Sequence, residues 1–147
     1  MFFYSTFKLK LDEKSRFFLP TRFRPALKDG LVITHGQEYC LSIFEPATFE
    51  KVAQGVMDQQ WTQKSVRGFA RVLAASAWPS QPDGQGRVTI GADLREYAHL
   101  EKDIVVTGAL DHIEIWNPLA WDGYAQHAEP DFADIDTPSI GLTESSL

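Results

Sequence analysis

The chain has 147 residues, 44% of them hydrophobic, and a formal charge of −6. That length allows one ordinary domain or two small units sharing a core, and its longest apolar runs, such as Val72-Leu73-Ala74-Ala75, are too short to span a bilayer. Cys40 is the single cysteine, so no internal disulfide can form, and the residue reads as a small buried hydrophobe rather than a nucleophile.

In chain order, Met1 to Ser5 has neither a basic stretch ahead of an apolar one nor a small-residue cleavage site, so a cytoplasmic location is expected. Tyr4 to Leu11 alternates at the period of a half-buried strand. Asp12-Glu13-Lys14-Ser15 is a turn, and Arg16 to Leu19 is the returning strand, stopped by Pro20, which has no N–H for a ladder. A short helical turn follows from Thr21 toward Leu27, ended by Asp29-Gly30. Leu31–Thr34 and Tyr39–Phe44 are two further strands.

Pro46 suits the first position of a helix, and Phe49, Val52, Ala53, Val56 and Met57 follow on one face. A second helix from about Thr62 carries Val66, Phe69, Ala70 and Leu73 on one stripe. Residues 74–78 are ambiguous by propensity and are assigned to an entering strand by analogy with the start of the chain. Pro82 to Gly86 is a glycine-rich turn, Arg87–Ile90 a strand, Asp93–Tyr97 a short helix, and Ile104–Thr107 and His112–Trp116 paired strands. Asn117-Pro118 starts a closing helix through Tyr124. From about residue 125 Asp, Pro, Ser and Thr take over, and an acidic, disordered tail is expected to residue 147.

This plan is written twice. Asp12-Glu13-Lys14-Ser15-Arg16 returns 71 positions later as Asp83-Gly84-Gln85-Gly86-Arg87. Arg24 and Arg95 follow at matching offsets, then the β-branched runs 31–34 and 104–107. Each copy closes with aromatic-x-Pro-x-x-aromatic, at Phe44 to Phe49 and Trp116 to Trp121. The organisation expected is a first unit over 1–48, a helical connector over 49–73, a second unit with its closing helix over 74–124, and the tail over 125–147. The fold class is α+β.

Charge is divided unevenly. Residues 1–30 hold seven lysines and arginines against Asp12, Glu13 and Asp29, a balance of +4, whereas residues 121–147 hold six carboxylates and no cation. The acidic excess therefore belongs to the tail, and the basic N-terminal end fits either a nucleic-acid face or a solvated surface.

The paired Asp-x-x-x-Arg turns, Leu94-Arg95-Glu96-Tyr97-Ala98 and Ile113-Glu114-Ile115-Trp116 carry a resemblance to the MraZ family, bacterial transcriptional regulators built from two SpoVT-AbrB DNA-binding units. The match runs from Met1 to about Tyr124. The resemblance implies duplicated swapped-hairpin β-barrel units about a pseudo-two-fold axis and assembly of several chains into a homo-oligomeric ring. It also implies a nucleoid-associated protein that binds short G-rich direct repeats in double-stranded DNA upstream of the division and cell-wall operon. The arginine of each turn, here Arg16 and Arg87, is the implied DNA contact. The chain departs from the family pattern at Ser15, where glycine is usual, and at Gly91, where copy one keeps Pro20.

The chemistry of these residues agrees with that expectation. Guanine presents O6 and N7 in the major groove, and arginine's planar fork supplies two matching donors, a pair that contributes about 1–3 kcal/mol of discrimination. Lys8, Lys10, Lys14, Arg22 and Arg24 are the expected phosphate contacts, which fix register without reading sequence. Arg87 has fewer basic neighbours in the sequence than Arg16. Asp12 and Asp83 either hold the guanidinium or cap the turn. Arg24 and Arg95 have an intramolecular pairing as their alternative role.

Neither an enzyme nor a cofactor or metal site is expected. The four histidines lack ligand spacing, and Gly84-Gln85-Gly86 lacks the third glycine and long helix of a dinucleotide site. The competing function is a ring-forming protein-interaction module without specific DNA binding.

Overall fold

A computed structural model of the chain describes residues 1–143 and Ser145. Residues 1–117 form one compact unit and residues 118–147 a second.

The first unit follows the duplicated plan. Copy one supplies β1 (Thr6–Lys10), β2 (Arg16–Phe18), α1 (Arg24–Leu27), β3 (Leu31–His35) and β4 (Leu41–Phe44). Two connecting helices follow, α2 (Pro46–Met57) and α3 (Lys64–Ser76). Copy two supplies β5 (Trp78–Ser80), β6 (Arg87–Thr89), α4 (Ala92–Tyr97), β7 (Asp103–Gly108) and β8 (Ile113–Trp116).

The copies exchange their entering strands. One sheet runs β1-β7-β8-β4-β3-β5, antiparallel throughout, so β1 of copy one lies on β7 of copy two, and β5 of copy two lies on β3 of copy one. Between these crossings β4 and β8 pair with Ser42 opposite Glu114. A second, two-stranded ribbon is formed by β2 and β6 alone, with Phe17 opposite Val88 at its middle. This is the swapped-hairpin arrangement, and neither copy has a complete sheet without the other.

The core shows why the repeat folds this way. The pairs Phe17/Val88, Leu19/Ile90, Phe23/Leu94 and Leu27/Ala98 stand at the same 71-residue offset as the turns, and all eight are buried. With Leu31, Ile33, Ile104 and Val106 they fill the space between sheet and ribbon. Phe3 and Phe7 add edge-on contacts to Phe23, with ring centroids 5.4 and 5.6 Å apart. Cys40 is buried as expected, its thiol donating to the Gln37 carbonyl at 3.2 Å. Burial, with the nearby Glu114 and Glu38 charges, pushes that thiol up to about 12.

Two elements differ from the sequence expectation. Residues 74–76, assigned to an entering strand, continue α3, and the strand begins only at Trp78. Ala74 and Ala75 are strong helix formers, and Ser76 fixes the end: its Oγ donates to the Val72 carbonyl and meets Thr34 Oγ1 at 2.8 Å. In the second unit the closing helix α5 starts at Pro118 as expected but runs to Asp134, ten residues past Tyr124. Pro130 lies within it, although proline gives up one backbone donor there. A short 3-10 turn covers Thr137–Ile140. Among the described residues no helix is long and apolar enough to cross a membrane.

Candidate nucleic-acid interface

The ribbon of β2 and β6 sets the geometry of the two turns. Because side chains alternate along a strand, Phe17 and Val88 point inward while Arg16, Phe18, Arg87 and Thr89 share the outward face. Phe17 and Val88 are fully buried, and Phe18 is 54% exposed. Arg16 stands opposite Thr89 and Arg87 opposite Phe18. The two arginines therefore lie on a diagonal, about 8 Å apart at Cα by strand spacing. The turns that precede them sit at opposite ends of the ribbon.

Each turn is held by one carboxylate. In the first, Asp12 Oδ1 accepts the backbone N–H groups of Lys14 (2.9 Å) and Arg16 (3.0 Å), while Oδ2 accepts Arg16 Nε–H at 2.8 Å. In the second, Asp83 Oδ1 accepts those of Gln85 and Arg87, both at 2.9 Å, and Oδ2 accepts Arg87 Nε–H at 2.7 Å. The two roles left open for these aspartates are thus performed together, by different oxygens of the same group.

The aspartates are held below the usual carboxylate range. For Asp12 some desolvation acts upward and is outweighed by the Arg16 N–H, the Arg16 side chain and the Lys14 N–H. For Asp83 the Arg87 N–H dominates, over a smaller desolvation and with help from the Arg87 side chain and the Gln85 N–H.

Only Nε of each turn arginine is engaged within the protein among the described residues, which leaves the Nη pair at the end of the fork. A half-buried guanidinium held by its near edge, with Nη donors still unbonded, is pre-organised for a planar acceptor pair, and little rotamer freedom remains to be lost on binding.

Backbone conformation gives the reason a glycine suits the fourth turn position. Ser15 has φ +61° and Gly86 φ +80°, so the first turn places an L side chain in the left-handed region, at a cost of roughly 1 kcal/mol. Its shape is retained despite the substitution: Ser15 N–H donates to the Asp12 carbonyl and Gly86 N–H to that of Asp83, at 3.0 and 2.9 Å.

The supporting cations are dispersed. Lys14 is exposed in the first turn, and Lys8 is exposed on β1. Lys10 Nζ stands 3.5 Å from Asp103. Arg22 donates to Ser5 Oγ at 2.7 Å and covers the Tyr4 ring at 5.1 Å. Arg24 Nε donates to the Leu19 carbonyl at 2.7 Å, and its guanidinium lies against Gly86. The matching Arg95 donates to the Ile90 carbonyl at 3.1 Å.

The strand exchange transposes the neighbourhoods of the turns, which the order of residues conceals. Arg24 and Lys28 of copy one line the cleft beside the second turn, with Pro82, Asp83 and Gly86. The first turn borders Arg95, Glu101 and Lys102 of copy two. The second turn, poor in cations along the sequence, is therefore flanked in space by two from the other copy. No pattern in a single repeat could have shown this.

Comparison with known proteins agrees with the duplicated plan. The family model described as "MraZ protein, putative antitoxin-like" matches twice, over residues 2–72 and 73–141. The chain is 46% identical over 134 residues to the "Transcriptional regulator MraZ" of Salinispora arenicola, covering 91% of this chain and 94% of that protein. It is 47% identical to the protein of that name from Saccharopolyspora erythraea over 131 residues, 89% and 92% of the two chains. With that from Mycobacterium tuberculosis it shares 41% over 139 residues, 95% and 97%. Two matched repeats on one interlocked fold, and relatives this similar over nearly their whole length, place the chain in the MraZ family of transcriptional regulators.

Proposed function

We propose that this protein regulates transcription by binding double-stranded DNA through its two turns, with Arg16 and Arg87 reading guanines. The observation that carries this reading is the pair of aspartate-held arginines, each with Nη groups that make no hydrogen bond among the described residues, on one face of a ribbon shared by both repeats. Lys8 and Lys14 near the first turn, and Lys28 near the second, supply phosphate contacts; Lys10 and Arg22 do so by leaving weak surface partners.

Short G-rich direct repeats upstream of the division and cell-wall operon are the proposed target, which would associate the protein with the nucleoid. Two reading arginines per chain give modest affinity, and assembly of several chains into a ring would present them at regular intervals. Linked binding of this kind adds about 10²–10⁴ when the spacing fits.

The test is fluorescence anisotropy with the protein's own upstream DNA against a scrambled duplex across a salt series. Selective binding whose logarithmic salt slope is several times about −0.9 supports the reading, since each neutralised phosphate contributes about that much. Equal binding to both duplexes, or none, would leave an interaction module on the same fold.

A further inference from the structure

We propose that Arg24 is the positioning residue of the second turn: it acts on DNA through Arg87, from the opposite repeat, rather than by touching a phosphate. The proposal rests on the DNA-reading role of Arg87 and says how that arginine is kept in place.

The geometry is a closed set of contacts. Arg24 Nε donates to the carbonyl of Leu19, and the N–H of Leu19 donates to the carbonyl of Gly86 at 2.9 Å. One residue of copy one thus binds the brace with its carbonyl and the turn of copy two with its amide. The guanidinium lies directly against the turn: a Cβ on Gly86 would stand 2.7 Å from both Cζ and Nε of Arg24. Glycine at 86 therefore eases the positive φ and leaves room for the close approach of Arg24. Gly86 is followed directly by Arg87, so displacement of the brace moves the peptide that aims the reading side chain.

The related position shows what happens when the cradle is filled. Arg95 makes the equivalent bond to the Ile90 carbonyl, and the Ile90 N–H donates to the Ser15 carbonyl at 2.9 Å. Ser15, however, carries a side chain where Gly86 has none, and Arg95 lines the cleft beside it. At the second turn the guanidinium comes close enough to occupy the place of a side chain at Gly86, with Lys28 beside it.

A direct phosphate contact and a brace differ in what substitution does. Arg24→Gln and Arg24→Lys are compared with Arg87→Ala and with the double variant Arg24→Gln/Arg87→Ala, each bound to specific and scrambled duplexes across salt. Thermal melting checks that each is folded, and Arg24→Lys keeps the charge if Arg24→Gln is unstable. For each variant in wild-type Arg87 background the Gly86 amide is followed by ¹H–¹⁵N spectroscopy without DNA.

The proposal expects both Arg24 variants to lose selectivity by about tenfold, the scale of one bidentate arginine–guanine pair. It expects an unchanged salt slope, no further loss when Arg87 is already alanine, and a displaced Gly86 resonance. A slope reduced by about one contact in Arg24→Gln but retained in Arg24→Lys, with losses that add to that of Arg87→Ala, would overturn it in favour of a phosphate contact. If the wild-type protein shows no selective binding, the DNA reading itself fails. The spectrum then decides the brace alone, supported by a displaced Gly86 resonance and overturned by an unmoved one.

Discussion

Phe17 of the first repeat faces Val88 of the second at the middle of a three-residue ribbon, and both side chains are buried. This pair stands where the pseudo-two-fold axis crosses the ribbon, so it fixes the relation between the two turns as well as filling the core. Phe17→Ala is expected to cost about 3–5 kcal/mol, the range for deleting a buried aromatic ring. Val88→Ala costs less, and the double variant departs from the sum because the two residues touch one cavity. Urea unfolding of the three variants measures this.

Much of that core was legible beforehand. The 71-residue offset identified the turns, and the same offset links the buried pairs, because duplicated units bury equivalent positions. The partner of each strand was not legible. Nothing local distinguishes β1 pairing within its own repeat from β1 crossing to β7, since alternation in Thr6–Lys10 fits either sheet. For that reason Arg24 reads in sequence as a neighbour of Arg16 and lies in space beside Gly86. The extension of α5 to Asp134 was hidden by composition: acidic residues and Pro130 resemble a disordered tail, although Pro130 removes only one backbone donor.

Ser15 and Gly86 occupy the same turn position with positive φ, and they predict opposite substitution effects. Ser15→Gly is expected to raise stability by about 1 kcal/mol by relieving the left-handed serine. Gly86→Ser is expected to lower it by at least as much, since the new side chain also meets Arg24. Thermal melting at one pH is sufficient, and a destabilised Ser15→Gly protein would contradict the assignment of strain.

Acid should weaken both turns. The Asp12 and Asp83 carboxylates lie below their usual range in the folded protein, so their contribution is fully present above about pH 4. It is lost as the pH falls through the lowered folded values. The double variant Asp12→Asn/Asp83→Asn should accordingly show a flatter fall in melting temperature over that acidic window than the parent.

His112 predicts the opposite slope at higher pH. Its ring lies 2.7 Å from Asp111 Oδ1 and 3.0 Å from Glu114 Oε2, and it stacks on Phe44. Burial acts to lower its value, but the two carboxylates outweigh burial and raise it above the usual 6.5. The protonated ring therefore contributes fully below about pH 6.5 and loses that contribution as pH rises through the raised folded value. The melting-temperature gap between the parent and His112→Gln should narrow as the pH rises above about 6.5. A gap that is constant or widens would contradict it.

The central claim is that the two aspartate-held arginines read DNA sequence. The most direct measurement is the ratio of affinities for upstream and scrambled duplexes in the parent, Arg16→Ala, Arg87→Ala and the double variant, at one fixed salt concentration. A parent that prefers its upstream DNA, a ratio that falls by about five- to a hundredfold in each single variant, and a double variant reduced to nonspecific binding are the predicted result. A preference that persists undiminished when both arginines are removed would contradict the account.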